Sequence, residues 1–205
     1  MSKPLEETDQ KKDRAQSWPV VGTKSLMNEA NNRIFTIGHS THPIDEFVNI
    51  LQSFSISLLA DVRNFPGSKR YPHFNKEILE SSLNKNNIRY RHFKELGGRR
   101  TPVPDSINTR WRNQAFRGYA DYMQTNVFGE SINQLQDIAR QEQVAYMCAE
   151  AVWWSCHRSL ISDYLKIRGW KVMHIMAKGK ADEHPFTSAA RIIDGELRYD
   201  EPGLF

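Results

Sequence analysis

No run in this chain approaches the ~20 consecutive apolar residues of a membrane-spanning helix, so no membrane partner is expected. The opening stretch, MSKPLEETDQKKDRAQS, lacks the apolar centre of a secretory signal, and a cytoplasmic protein is expected. Cysteine is scarce, two among 205 residues. In a cytosolic chain such a pair is read as free, catalytic or redox-active before it is read as a structural disulfide. A redox Cys-x-x-Cys is absent, and neither cysteine has an arginine six residues later, as a tyrosine-phosphatase loop requires. There is no Walker loop and no G-x-G-x-x-G, which disfavours P-loop and nicotinamide chemistry; no cofactor is expected. The spacing Cys148-x7-Cys156-His157 matches none of the paired cysteine patterns of zinc sites, so no metal is expected either.

What is present is an ordinary globular composition, 39% hydrophobic and 25% charged, with a formal charge of +4 that leans towards anionic partners. Residues 1–30 are polar without apolar periodicity and read as a disordered tail; residues 31–205 read as a single α/β domain. Short β-rich runs then alternate with helical stripes. RIFTI (33–37), ISLLADVR (56–63), IRYRHF (88–93), VAYMC (144–148) and WKVMHI (170–175) read as strands. Ile44, Phe47, Val48, Leu51 and Phe54 form a helical stripe after Pro43, and Asn75 is placed to cap a second helix. Residues 119–138 read as one broken helix or two, and 155–169 as a helix that Ser155 caps and Gly169 ends. Asp194-Gly195 between two apolar runs predicts a terminal hairpin. The expected fold is a three-layer α/β domain, Rossmann-like in the broad sense. Its five-stranded sheet is mostly parallel, with helices on both faces and a C-terminal hairpin.

In a parallel sheet the strand-to-helix loops leave on one side, where ligands bind. Each predicted strand ends in or is followed there by polar or glycine residues: Gly38, His39 and Ser40; Asp61 and Arg63; Gly97, Gly98, Arg99 and Arg100; Cys148 and Glu150, then Cys156, His157 and Arg158; and His174, then Lys178. The loop 94–117 is long and arginine-rich (Arg99, Arg100, Arg110, Arg112, Arg117) with Trp111 among the charges, which suits a phosphate or a base. A solvated basic loop is the plainer reading. Cys156, if it sits in the first turn of a helix, is either a thiolate nucleophile or a buried side chain beside an anion-cradling helix start. Cys148 reads as core. Glu150 is the best general acid/base in the chain, or the partner of Arg158 or Arg63 in a salt bridge. His39 is a base, a ligand contact, or a hydrogen-bond partner of Asp61.

Taken in order, TIGHSTHPIDEFVNILQ, LLADVRNFPGSKRYPHFN, YRHFKELGG, FRGYADYM, CAE followed by CHR, and GWKVMHI resemble the bacterial and archaeal proteins grouped as domain of unknown function 488. The resemblance spans roughly Arg33 to Ile175. It implies a small cytosolic α/β protein without an agreed activity, and it implies that Gly38, His39, Ser40, Asp61, Arg63, Cys148, Glu150, Cys156, His157 and Arg158 belong to the family signature. The functional expectation is an enzyme that hydrolyses or transfers a phosphate-bearing substrate, a nucleotide or nucleic acid. Glu150, His39 and Cys156 are its catalytic candidates. Arg63, Ser40, Asp61, Arg99, Arg100, His157 and Arg158 are its anion-binding candidates. The rival expectations are a non-catalytic nucleic-acid-binding module and a cysteine-based redox or metal-binding protein.

Overall fold

The computed structural model describes residues 32–201; the expected N-terminal tail, 1–30, lies outside them. The chain runs β1 (Arg33–Gly38), α1 (Ile44–Gln52), β2 (Leu58–Asp61), α2 (Lys76–Asn84), β3 (Arg89–His92), α3 (Gln114–Tyr122), α4 (Asn126–Ala139), β4 (Val144–Cys148), α5 (Arg158–Ile167), β5 (Lys171–Ala177), β6 (Lys180–Glu183), β7 (Arg191–Ile193) and β8 (Glu196–Arg198). The central sheet has six strands in the order β3-β2-β4-β1-β5-β6. The five strands read from the sequence pair parallel with one another. The sixth, β6, pairs antiparallel with β5 at one edge. β7 and β8 form the predicted hairpin apart from the sheet, turning at Asp194 (φ 52) and Gly195 (φ 79).

Strand alternation sorts the apolar side chains into two layers. Val144, Tyr146 and Cys148 of β4 face a core built with α3, α4 and α5. Ala145 and Met147 face the other core, against Phe47 and Leu51 of α1 and Leu79 and Leu83 of α2. Both faces are therefore covered, which is why these strands read as continuous apolar runs. No helix among the described residues is long and apolar enough to cross a membrane.

Local chemistry differs from expectation at Asn75, Ser155 and Cys156. Asn75 precedes α2, but its Oδ1 accepts the amide of Ser68 and caps the 66–75 loop instead of the helix. Residues 153–155 form a short 3-10 turn, so Ser155 does not cap α5. Cys156 is extended (φ −131, ψ 148), and the carbonyl of His157 receives the amides of Leu160 and Ile161. Cys156 thus lies before the helix, outside its first turn. Residues 114–139, finally, make two helices, capped by the side chains of Asn113 and Thr125.

The strand order creates a switch point at β1 and β4. β1 and β4 are neighbours, yet the chain leaves β1 into α1 on one face and leaves β4 into α5 on the other. The loops diverge there and open a crevice at the carboxyl ends of the two strands, where ligands of open α/β sheets bind.

Candidate functional site

At this crevice lies a cavity of about 500 Å³. It is within the range of about 300–1,000 Å³ typical of small-molecule sites. Its lining brings together His39 and Ser40 after β1, Arg63 after β2, Arg99 from the long loop, Cys148 and Glu150 after β4, and Cys156 and His157 before α5. Phe65, Tyr71, Asn113 and Phe116 complete parts of the rim.

The β1 and β4 loops are held close because Gly38 has no side chain. A Cβ there would lie 1.9 Å from the carbonyl oxygen of Glu150. Beyond the ladder, the amides of His39 and Ser40 continue to the carbonyls of Cys148 and Ala149 at 2.9 and 3.0 Å. Arg158 locks the same junction from beneath. Its Nη2 donates to Glu150 O at 2.6 Å and its Nη1 to Thr36 Oγ1 at 3.2 Å. With 1% of its surface exposed, Arg158 braces the cavity wall and is not among the residues that line the cavity. An arginine at a helix start was expected to meet ligand; this one is spent on the protein's own carbonyl.

Asp61 likewise stands behind the cavity. Its carboxylate accepts Arg63 Nε and Nη2, the Arg63 amide and the Tyr90 hydroxyl. Burial opposes the charge on Arg63, but Asp61 outweighs it and holds the guanidinium protonated. Arg63 Nη1 donates to His39 Nε2 at 3.3 Å and keeps a second N–H. His39 therefore bonds Arg63 and not Asp61 directly. Its Nδ1–H donates to Ser40 O, which leaves Nε2 as the acceptor for Arg63. The ring stacks on Phe74 at 4.1 Å. Burial, then the Arg63 charge, lower its pKa to about 4. These contacts and its burial hold the ring in place and neutral.

Glu150 is exposed at the cavity, and its carboxylate makes no hydrogen bond or ion pair with any described residue. The alternative of a salt bridge to Arg158 or Arg63 is not realised; Arg158 uses only the Glu150 carbonyl, and Arg63 pairs with Asp61. Arg99 is also exposed on the cavity, without a side-chain partner among the described residues, and held at φ 62. Arg100 turns away: it donates to Gly97 O and Glu95 O and lies over the Tyr122 ring. Arg110 and Arg117 are bound to backbone carbonyls in the same manner, and Trp111 packs on Phe116 and Tyr199.

The two cysteines and His157 form the densest group. Their ligand atoms all lie within 4.8 Å of one another. His157 Nδ1 stands 3.6 Å from Cys156 Sγ and 3.9 Å from Cys148 Sγ. Nε2–H donates to Val62 O at 3.1 Å, so the Nδ1 lone pair faces the sulfurs. Gly98 leaves room for this ring, since a Cβ there would meet Nδ1 at 2.8 Å. The thiols share their protons unequally. Cys148 is pushed well up by its hydrogen bond to Cys156 and by burial. For Cys156 burial acts against the thiolate, but the Cys148 hydrogen bond, His157 and Arg158 bring its pKa well below the ordinary value.

Residues 43–165, more than half of the chain, match the family model described as Domain of unknown function DUF488. The chain belongs to the DUF488 family. No curated protein and no solved structure matches it. The matched DUF488 segment contains α1 to most of α5, and with them Arg63, Arg99, Glu150 and the Cys148–Cys156–His157 group. His39 and Ser40 lie just before it.

A polar network beyond the cavity carries no signal in sequence spacing. Asp163 accepts His184 Nε2–H at 2.9 Å, and His184 Nδ1 accepts His174 Nε2–H at 2.8 Å. Trp153, in the AVWW stretch, stacks on His174 at 4.3 Å. Burial, then His184 and Arg158, lower the His174 pKa to about 2. His39 and His174 are thus held neutral when folded but titrate near 6.5 when unfolded. Above pH ~6.5 neither ring changes protonation on unfolding. As pH falls below it, only the unfolded chain gains these protons, and stability drops until the folded rings protonate in turn. Between pH 7 and 5 the loss expected is about 2 kcal/mol per ring. Urea titration at both pH values checks it, and His174→Asn should remove roughly half of this loss. A midpoint independent of pH would contradict the assignment.

Proposed function

We propose that the cavity at the β1/β4 switch point is the active site of an enzyme that hydrolyses or transfers a phosphate-bearing substrate. The observation that carries this reading is the pairing of Arg63 and Arg99 on the cavity with the free carboxylate of Glu150. Guanidinium forks suit phosphate, and the low dielectric of a half-closed cavity strengthens each contact. Arg63, fixed by Asp61, presents its remaining Nη1 N–H as a preorganised donor. Arg99 is the adaptable one. Glu150, two residues beyond Cys148, moves the proton.

A small ligand such as a nucleotide is favoured over a nucleic-acid surface. Arg100, Arg110 and Arg117 spend their guanidinium groups on backbone carbonyls, and Trp111 is packed against other rings. These are the side chains a nucleic-acid module would need free.

Arg99→Ala is expected to weaken phosphate ligands about 10- to 100-fold, the worth of one charge-assisted hydrogen bond, with little change in melting temperature. Calorimetric titration with inorganic phosphate, nucleoside monophosphates and short oligonucleotides tests it. Binding by the wild type that Arg99→Ala leaves unchanged would sink the proposal.

A further inference from the structure

We propose that Cys148, Cys156 and His157 bind one zinc ion whose fourth coordination position opens onto the cavity. Zinc–sulfur bonds of about 2.3 Å and a zinc–nitrogen bond of about 2.1 Å at tetrahedral angles put sulfur and nitrogen about 3.6 Å apart. The observed separations are 3.6 and 3.9 Å. Both sulfur–nitrogen edges are therefore already close to those of the tetrahedron, and the two sulfurs lie within 4.8 Å of each other.

Orientation agrees with distance. A metal-bound imidazole gives its other nitrogen to a carbonyl or carboxylate, which fixes the ring and the free lone pair. His157 does so: Nε2–H donates to Val62 O, and Nδ1 faces both sulfurs. The three donors sit on a strand end and the residues before a helix, positions that hold still. Two thiolates and an imidazole form a donor set that selects zinc or monovalent copper over calcium or magnesium. Two thiolate charges also neutralise a divalent ion. Glu150 is outside the group and stays free.

The number of ligands decides the type of site. Structural zinc takes four protein donors, whereas catalytic zinc takes three and a water. Here three donors converge, and all three line the cavity. Bound there, the ion holds a water in its fourth position. Glu150 takes one proton from that water. The resulting hydroxide forms the new bond to the electrophilic phosphorus or carbon, the bond to the leaving group breaks, and Glu150 returns the proton to the leaving group. This chemistry rests on reading the cavity as an active site; binding of the ion does not.

The spacing of the ligands hides them in the sequence. Seven residues separate Cys148 from Cys156, and the chain between them makes a 3-10 turn, so no paired-cysteine pattern arises.

The full chain, purified without a metal-affinity tag, is dialysed against zinc and then against a weak chelator, and its metal content is measured. About one zinc per chain is expected. Cys156→Ser and Cys148→Ser should each lower zinc affinity by at least about tenfold, while Glu150→Gln retains the ion. Cobalt in place of zinc should show thiolate charge-transfer absorption that Cys156→Ser removes. Circular dichroism checks the folding of each variant. If a serine variant does not fold, thiol titration of the wild type decides: zinc should shield both thiols. Wild type that holds no zinc against the chelator, with both thiols equally reactive with and without the ion, overturns the proposal. Loss of zinc binding alone, with phosphate still bound through Arg99, removes the metal centre and leaves the anion site standing. Zinc bound without any phosphate binding does the reverse.

Discussion

Gly38→Ala is expected to cost about 3–5 kcal/mol, among the largest single-residue effects in the protein. The added carbon would lie 1.9 Å from the carbonyl oxygen of Glu150, 2.8 Å from its carbonyl carbon and 2.9 Å from Arg158 Nη2. Two of these are backbone atoms of Glu150, two residues past the end of β4, so no side-chain rotation relieves the contact. To make room the β1 and β4 loops must separate. That breaks the bonds of the His39 and Ser40 amides to Cys148 and Ala149, and the grip of Arg158 on Glu150. The cavity wall is built from those same residues. Gly129→Ala in α4 is the control: a Cβ there meets nothing within 4 Å, and alanine favours the helix by up to ~1 kcal/mol. Urea unfolding of both variants measures the contrast. A Gly38→Ala protein as stable as wild type would mean the two loops are not in close contact.

Glu150→Gln is expected to lower turnover about 10²- to 10⁴-fold, the usual contribution of a general acid or base. Glutamine keeps the shape of the side chain and leaves the backbone carbonyl to accept Arg158. The Glu150 carboxylate has no described partner, so folding should be unaffected. Phosphate affinity should be unchanged or higher, because a negative charge leaves the cavity. The measurement is product release from a panel of phosphate esters and nucleotides, with kcat and KM separated. A drop in kcat at constant stability assigns the proton transfer to Glu150. Equal kcat in variant and wild type would refute that role.

The parallel sheet was legible because buried strands leave continuous apolar runs. VAYMC in particular spans β4 residue for residue. β6 was not legible: Lys-Ala-Asp-Glu has no strand preference, and only edge pairing with β5 makes it extended. The convergence of polar residues at the strand ends followed from topology alone. Their depth did not. Arg158, Asp61 and Arg63 look alike as charged residues after strands, yet only Arg63 lines the cavity, because the other two are consumed by Glu150 O and by Arg63 itself. Placing the helix start at Ser155 also misjudged Cys156, whose surroundings depend on the turn at 153–155. The Asp163–His184–His174 chain joins residues up to 21 positions apart, which no local pattern records.

The most direct measurement is a crystal structure of the protein grown with inorganic phosphate or a nucleoside monophosphate. The proposal predicts a phosphate in the switch-point cavity, within hydrogen-bonding reach of Arg63 Nη1 and the Arg99 guanidinium, with the Glu150 carboxylate beside it. A phosphate bound instead on another face, with this cavity holding only water, would contradict it.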